Sequence, residues 1–167
     1  MGTRRGESVF VLIRALTYAT LFIGFLLVLL PARLLSWSGV ARPPAIGFAQ
    51  VAGMLVAVIG AAVALWCILT FAVLGKGTPA PFDPPRRLVI AGPYKFVRNP
   101  MYIGAAIALA GAALFYRSAP LAGYVVAFLL VTHVFVRLYE EPTLRATFGA
   151  EYEGYCRHVR RWWPRLG

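Results

Sequence analysis

Two adjacent carboxylates, Glu140 and Glu141, close a long apolar stretch of this 167-residue chain. Ionisable groups in such a place are expensive to desolvate and are expected to face a polar cavity or an opposite charge. Arg137 lies three and four positions before them, within helical reach of both. Adjacent helical residues point about 100° apart, so one Glu can pair with Arg137 while the other faces elsewhere. Pro142 disfavours helix at Glu141 and predicts a hinge there. A second group, Arg98-Asn99-Pro100-Met101-Tyr102, sets a guanidinium, an amide and a phenol around a proline suited to the first turn of a helix. The chemistry open to these residues is charged hydrogen bonding to a polar ligand. The plainer alternatives are an interfacial salt bridge for the glutamates and a lipid-contacting basic loop for the segment around Arg98.

Other chemistries lack their residues. No Gly-x-Gly-x-x-Gly follows an expected strand and no phosphate-binding Gly-Lys-Ser/Thr loop occurs, so soluble dinucleotide folds are excluded. Neither His133 nor His158 has a second His or Cys at ligand spacing, so no metal site is expected, and His133 reads as a hydrogen-bonded residue of a helix bundle. The serines have no recognisable His and acid partners. The two cysteines, Cys67 in an apolar run and Cys156 in a basic tail, do not suggest a disulfide framework.

The elements that must position these groups are membrane helices. Apolar residues make up 60% of the chain, against about 45 to 50% in soluble domains, and the wealth of aromatics and aliphatics excludes disorder. A helix needs about 20 mostly apolar residues to cross the hydrocarbon core. The expected spans are 9–30, 45–74, 101–116 and 118–136, the last two forming a tight hairpin around Arg117 and Pro120. The first span is longer than a secretory signal's apolar core and reads as an anchor. Between the second and third lies a strap, 76–100. Half of the 12 prolines fall between Thr78 and Met101, so Gly77 to Pro85 cannot be helical, and Gly92-Pro93-Tyr94 marks a turn. Beyond Glu141, a short helix from Pro142 to Phe148 is expected to stop at Gly149 with a left-handed cap. An amphipathic helix from Ala150 to Arg160 follows, with Tyr152, Tyr155 and Val159 on one face.

The basic residues orient this array. With the N-terminus in the cytoplasm, 14 of the 17 Lys and Arg fall in the N-terminal segment, the strap and the tail, the bias expected of cytoplasmic segments. A net charge of +11 distributed in this way faces anionic lipid headgroups rather than nucleic acid. The expected architecture is all-α and polytopic, one membrane domain over 1–167. Four transmembrane helices put both termini in the cytoplasm, and 137–167 form a cytoplasmic C-terminal segment.

Two blocks taken together resemble a known group. Gly92-Pro93-Tyr94-x-x-x-Arg98-Asn99-Pro100-Met101-Tyr102-x-Gly104 is followed by Glu140-Glu141-x-x-Leu144-x-x-x-Phe148-Gly149-x-x-Tyr152-x-x-Tyr155 and Arg161-Trp162-x-Pro164. Their order and spacing resemble the isoprenylcysteine carboxyl methyltransferase and phospholipid methyltransferase superfamily over about Gly75 to Arg165. The isoprenylcysteine enzymes carry His where this chain has Asn99.

The resemblance implies an integral-membrane enzyme that transfers the methyl group of S-adenosylmethionine to a lipid-like or amphiphilic acceptor at the cytoplasmic membrane face, with membrane lipids as partners. It implies Arg98, Glu140 and Glu141 as catalytic. Tyr94, Asn99, Tyr102, Gly104, Tyr152, Tyr155, Arg161 and Trp162, with both glutamates, are implied as cofactor-binding. An Arg can hold the cofactor's carboxylate, a Glu can accept its ribose hydroxyl protons, and aromatics can pack on its adenine or sulfonium. Membrane sterol reductases, which use a nicotinamide cofactor, resemble the superfamily in their C-terminal half and supply a second reading. A non-catalytic four-span scaffold built on the Gly- and Ala-rich second and third helices is a third.

Overall fold

A computed structural model describes residues 23–71, 74 and 87–165, and among these the chain is all-helical without a strand. The N-terminal part of the first expected span, the prolines of Gly77 to Pro85, and Arg86 lie outside the described residues. We number five helices: α1 Gly24–Trp37, α2 Phe48–Thr70, α3 Pro100–Tyr116, α4 Ala119–Phe148 and α5 Ala150–His158.

Two of these, α2 and α4, are long and apolar enough to cross a membrane, and α1 and α3 are shorter apolar helices. Only 17% and 22% of the most apolar stretches of α2 and α4 are buried within the protein, whereas the core helix of a soluble protein hides most of its apolar surface. Val51, Leu55, Val58 and Leu69 of α2 and Val126, Leu130 and Val134 of α4 all point outward, as lipid-facing residues do.

The α2–α3 pair is held by close backbone approach in antiparallel register. Gly60 lies opposite Gly104 and Gly53 opposite Gly111, so that a Cβ placed on Gly60 would sit 2.3 Å from the Ala108 nitrogen and 2.6 Å from the Gly104 carbonyl. Small residues of this kind replace the missing hydrophobic drive between helices in lipid with dense van der Waals packing. Gln50, the one strongly polar residue of the span, is buried at its end; its carbonyl accepts from the Gly47 amide (3.1 Å) and its amide donates to the Phe115 carbonyl (3.2 Å). Gly60→Ala is therefore expected to lower stability by about 1 to 3 kcal/mol, the usual range for overpacking, read as a fall in thermal midpoint in detergent. Gly123→Ala, where a Cβ meets open space, is expected to leave the midpoint unchanged or raise it, because Ala favours helix over Gly. Equal midpoints for both variants would contradict the close-packing account.

The α3–α4 hairpin turns at Arg117 (φ 48°, ψ 42°), and Ser118 caps α4 by accepting from the Leu121 amide (3.3 Å). Helix α4 then runs on to Phe148, past Glu141 and Pro142, correcting the expected hinge. Its backbone passes through a π-helical stretch, Val136–Glu140, in which the Glu141 amide donates to the Val136 carbonyl. A similar stretch, Gly24–Leu29, precedes Pro31 in α1, which extends beyond the expected end at Leu30. A proline lacks its N–H and clashes with the carbonyl four residues back; the wider π turn just upstream accommodates this without breaking the rod. Gly149 does stop α4, with φ 50° but ψ −122°, a conformation outside the left-handed helical region expected for it. Helix α5 ends at His158, two residues short of the expected Arg160, where Val159 turns extended.

Candidate functional site

The end of the bundle where α2 finishes and α3 begins is where the charged residues converge. Cys67, Val89 and Tyr94 are buried together and pin segment 87–97 onto the end of α2, and Gly92–Lys95 forms a single 3₁₀ turn there. Tyr152, Tyr155 and Val159 form a second buried cluster with Leu88, Leu144 and Phe148, so the aromatic face of α5 rests on α4 and that same segment. The Tyr155 hydroxyl donates to the Tyr94 carbonyl at 2.6 Å. Burial pushes the phenols of Tyr94, Tyr152 and Tyr155 up from their usual range, so at neutral pH each is a protonated donor.

With these clusters in place, the backbone after α5 runs beside the entrance to α3. Val97 and Arg160 form a parallel bridge, the Arg98 amide donates to the Arg160 carbonyl (2.9 Å), and the buried Asn99 amide donates to the Arg161 carbonyl (3.3 Å). The two arginines thereby meet one carboxylate. Arg161 Nε and Nη2 donate to the two oxygens of Glu141 at 2.7 and 2.8 Å, and Arg98 Nη2 lies 3.3 Å from Glu141 Oε1. The Glu141 side chain is only 2% exposed, against 12% for Arg98 and 27% for Arg161. A carboxylate buried to that degree persists only when its desolvation is offset by paired, well-aligned donors. The hydrogen bonds to Glu141 hold Arg161 still more firmly protonated.

Arg98 has capacity to spare. Its Nη1 donates to the Cys156 sulfur, yet its Nε is buried without an acceptor among the described residues. Glu140, next in sequence to the saturated Glu141, accepts among the described residues only from the Tyr102 hydroxyl (3.1 Å). The neighbouring glutamates thus divide their roles. Arg137, expected to pair with one of them, is exposed and takes part in neither contact; the carboxylate's partners come from the α3 entrance and the tail.

Of the residues singled out from the sequence, Arg98, Asn99, Glu141 and Arg161 form one connected cluster, and Tyr102 with Glu140 lie beside it through the Glu140–Glu141 bond. Tyr94, Tyr152 and Tyr155 are buried in the supporting clusters. Gly104 is elsewhere, packed against α2, where a Cβ would sit 2.7 Å from the Ala64 nitrogen. Trp162 donates its indole N–H to His133 Nδ1 at 3.0 Å. Cys156 escaped the sequence reading as a participant, and so did the partner of His133, which is hydrogen-bonded as expected. Cys156 lies one helical turn beyond Tyr152, and that spacing alone places it on the buried face; the other pairing has no local signal, His133 being joined to Trp162 only by the fold.

The phospholipid methyltransferase family model matches residues 48–151. The matched region contains Arg98, Asn99, Tyr102 and both glutamates, and stops before Tyr152, Tyr155, Arg161 and Trp162. No curated protein and no solved structure matches the chain significantly.

Proposed function

The chain belongs to the phospholipid methyltransferase family and is a membrane methyltransferase; from that premise we propose that it draws its methyl group from S-adenosylmethionine and delivers it to a lipid-like or amphiphilic acceptor entering from the bilayer. The observation that carries this reading is the convergence of Arg98 and Glu141, from the two separated blocks of the matched region, at 3.3 Å. The residues fit the cofactor. Two guanidiniums share the single Glu141 carboxylate, leaving a local positive charge, and the orphaned Arg98 Nε is a donor suited to an anionic group such as the cofactor's carboxylate.

In this reading Arg98 holds that carboxylate and Glu141 fixes both arginines in register. Glu140, which pairs with no cation among the described residues, accepts hydrogen bonds from the cofactor or the acceptor, with Tyr102 orienting it. Asn99 holds the tail's backbone, and Tyr94, Tyr152, Tyr155, Arg161 and Trp162 complete the wall on that side. When bound, S-adenosylmethionine supplies an electrophilic methyl group. The protein's contribution is then mainly orientation and exclusion of water, since transfer needs no covalent enzyme intermediate.

The proposed arrangement in the bilayer follows the charges. Four spans with both termini cytoplasmic, and 137–167 as the cofactor-binding segment, put the cluster and most Lys and Arg on one face, as the positive-inside bias requires. Titration calorimetry on the purified protein in lipid nanodiscs tests the function. Saturable binding of S-adenosylmethionine and none of NADPH is expected, with label from the methyl group appearing in a lipid extract. NADPH binding alone would replace this reading with a reductase, and binding of neither with a scaffold.

A further inference from the structure

Polar side chains along the membrane stretch of α4 spend their hydrogen bonds on backbone: Tyr124 donates to the Leu26 carbonyl (2.8 Å) and Thr132 to the Phe128 carbonyl (2.8 Å). His133 is different. It accepts at Nδ1 from the indole of Trp162, 3.0 Å away, and the two rings stack at 6.0 Å with an interplanar angle of 29°. An ionisable side chain in an apolar span carries a desolvation cost and is by default a functional residue whose partner must be named. Here that partner is the tail, and its neighbour in sequence is Arg161.

The tail is fastened at consecutive residues. The Arg160 carbonyl is held by the Arg98 amide, the Arg161 carbonyl by Asn99, the Arg161 guanidinium by Glu141, and the Trp162 indole by His133. Beyond that point Trp163 is 75% exposed, so among the described residues Trp162 is the last tail residue tied to a membrane helix. We propose that His133 is a positioning residue: its Nδ1 latches Trp162 to α4 and so holds Arg161 and the 97–99 segment in register before the cofactor arrives. The proposal rests on the methyltransferase reading for its consequence in affinity, though the latch itself does not.

The expected consequence is in binding rather than in chemistry, because preorganisation removes an ordering cost from association. His133→Leu should raise the dissociation constant for S-adenosylmethionine by about tenfold and leave kcat at saturation within about twofold. His133→Asn, which can again present an acceptor to the indole, should restore most of the affinity. Trp162→Phe keeps an aromatic ring but loses the N–H; its tail should be as loosely held as that of His133→Leu, and the double variant should be no looser than either single one, the mark of a shared interaction.

A second readout needs no cofactor: trypsin should cut after Arg161 several times faster in His133→Leu and in Trp162→Phe than in the wild type and His133→Asn. If the wild type binds no S-adenosylmethionine, the functional reading fails while the proteolysis still decides the latch. Wild-type cleavage in His133→Leu, additive effects in the double variant, or an Asn variant as weak as the Leu variant would each overturn the proposal.

Discussion

Glu141→Ala is expected to abolish methyl transfer and to destabilise the protein by about 3 kcal/mol, the lower end of the range for breaking a buried ion pair, since Arg161 keeps 27% of its side chain in contact with solvent. The loss is large because two guanidiniums would be left without their common carboxylate, and Arg161 would lose both of its bonds, at 2.7 and 2.8 Å. Glu141→Gln keeps the shape, offers only one acceptor oxygen and removes the charge; cofactor affinity should fall by well over tenfold, that is, by more than about 1.4 kcal/mol. The neighbouring substitution separates the roles of the two glutamates. Glu140→Gln can still accept from Tyr102 and strands no cation among the described residues, so its thermal midpoint should stay near that of the wild type while any loss of turnover reports contact with cofactor or acceptor. Thermal unfolding and calorimetric binding on the three variants check this. Wild-type stability and affinity in Glu141→Gln would remove the carboxylate from the centre of the site.

Arg98→Ala should be inactive yet folded and inserted, because Glu141 retains its bidentate bonds to Arg161 and the backbone bridge between Val97 and Arg160 needs no side chain. Arg98→Lys is the sharper test. A lysine carries the same charge but only a single ammonium, and it cannot span Glu141, Cys156 and a further acceptor as the planar guanidinium does. With each charged hydrogen bond contributing roughly 1.5 to 3 kcal/mol, kcat/KM in the Lys variant should drop by about 10- to 100-fold. Circular dichroism and detergent size-exclusion profiles serve as the folding control, and labelled methyl transfer as the readout. Full turnover in Arg98→Lys would show that a positive surface, and not the fork, is what the site uses.

The helical class and the helices around the site are legible in the sequence because their causes are local or periodic. Pro100 fits the first turn of α3, Arg117 separates α3 from α4, and Tyr152, Tyr155 and Val159 recur at the spacing of one helix face; each of these is found in place. The family, too, was legible, since the residues of the matched blocks stand at a fixed order and spacing.

What the tertiary structure decided is which charge meets which. From spacing alone Arg137 is the natural partner of Glu140 or Glu141, but an exposed pair of that kind contributes about 0 to 1 kcal/mol, too little to dictate a pairing. Burying Glu141 to 2% exposure makes an uncompensated carboxylate untenable, and the donors able to compensate it are those that packing delivers, Arg98 at the α3 entrance and Arg161 in the tail. Likewise Pro142 predicts a hinge only if the helix before it is a regular α-helix; the π turn at Val136–Glu140 lets α4 continue and sets Glu140 against Tyr102 while Glu141 faces the arginines. His133 and Trp162 show the same limit. Their contact depends on a tail folded back over a membrane helix, and short-range preferences carry no term for a hydrogen bond between residues that only the assembled bundle brings within 3.0 Å.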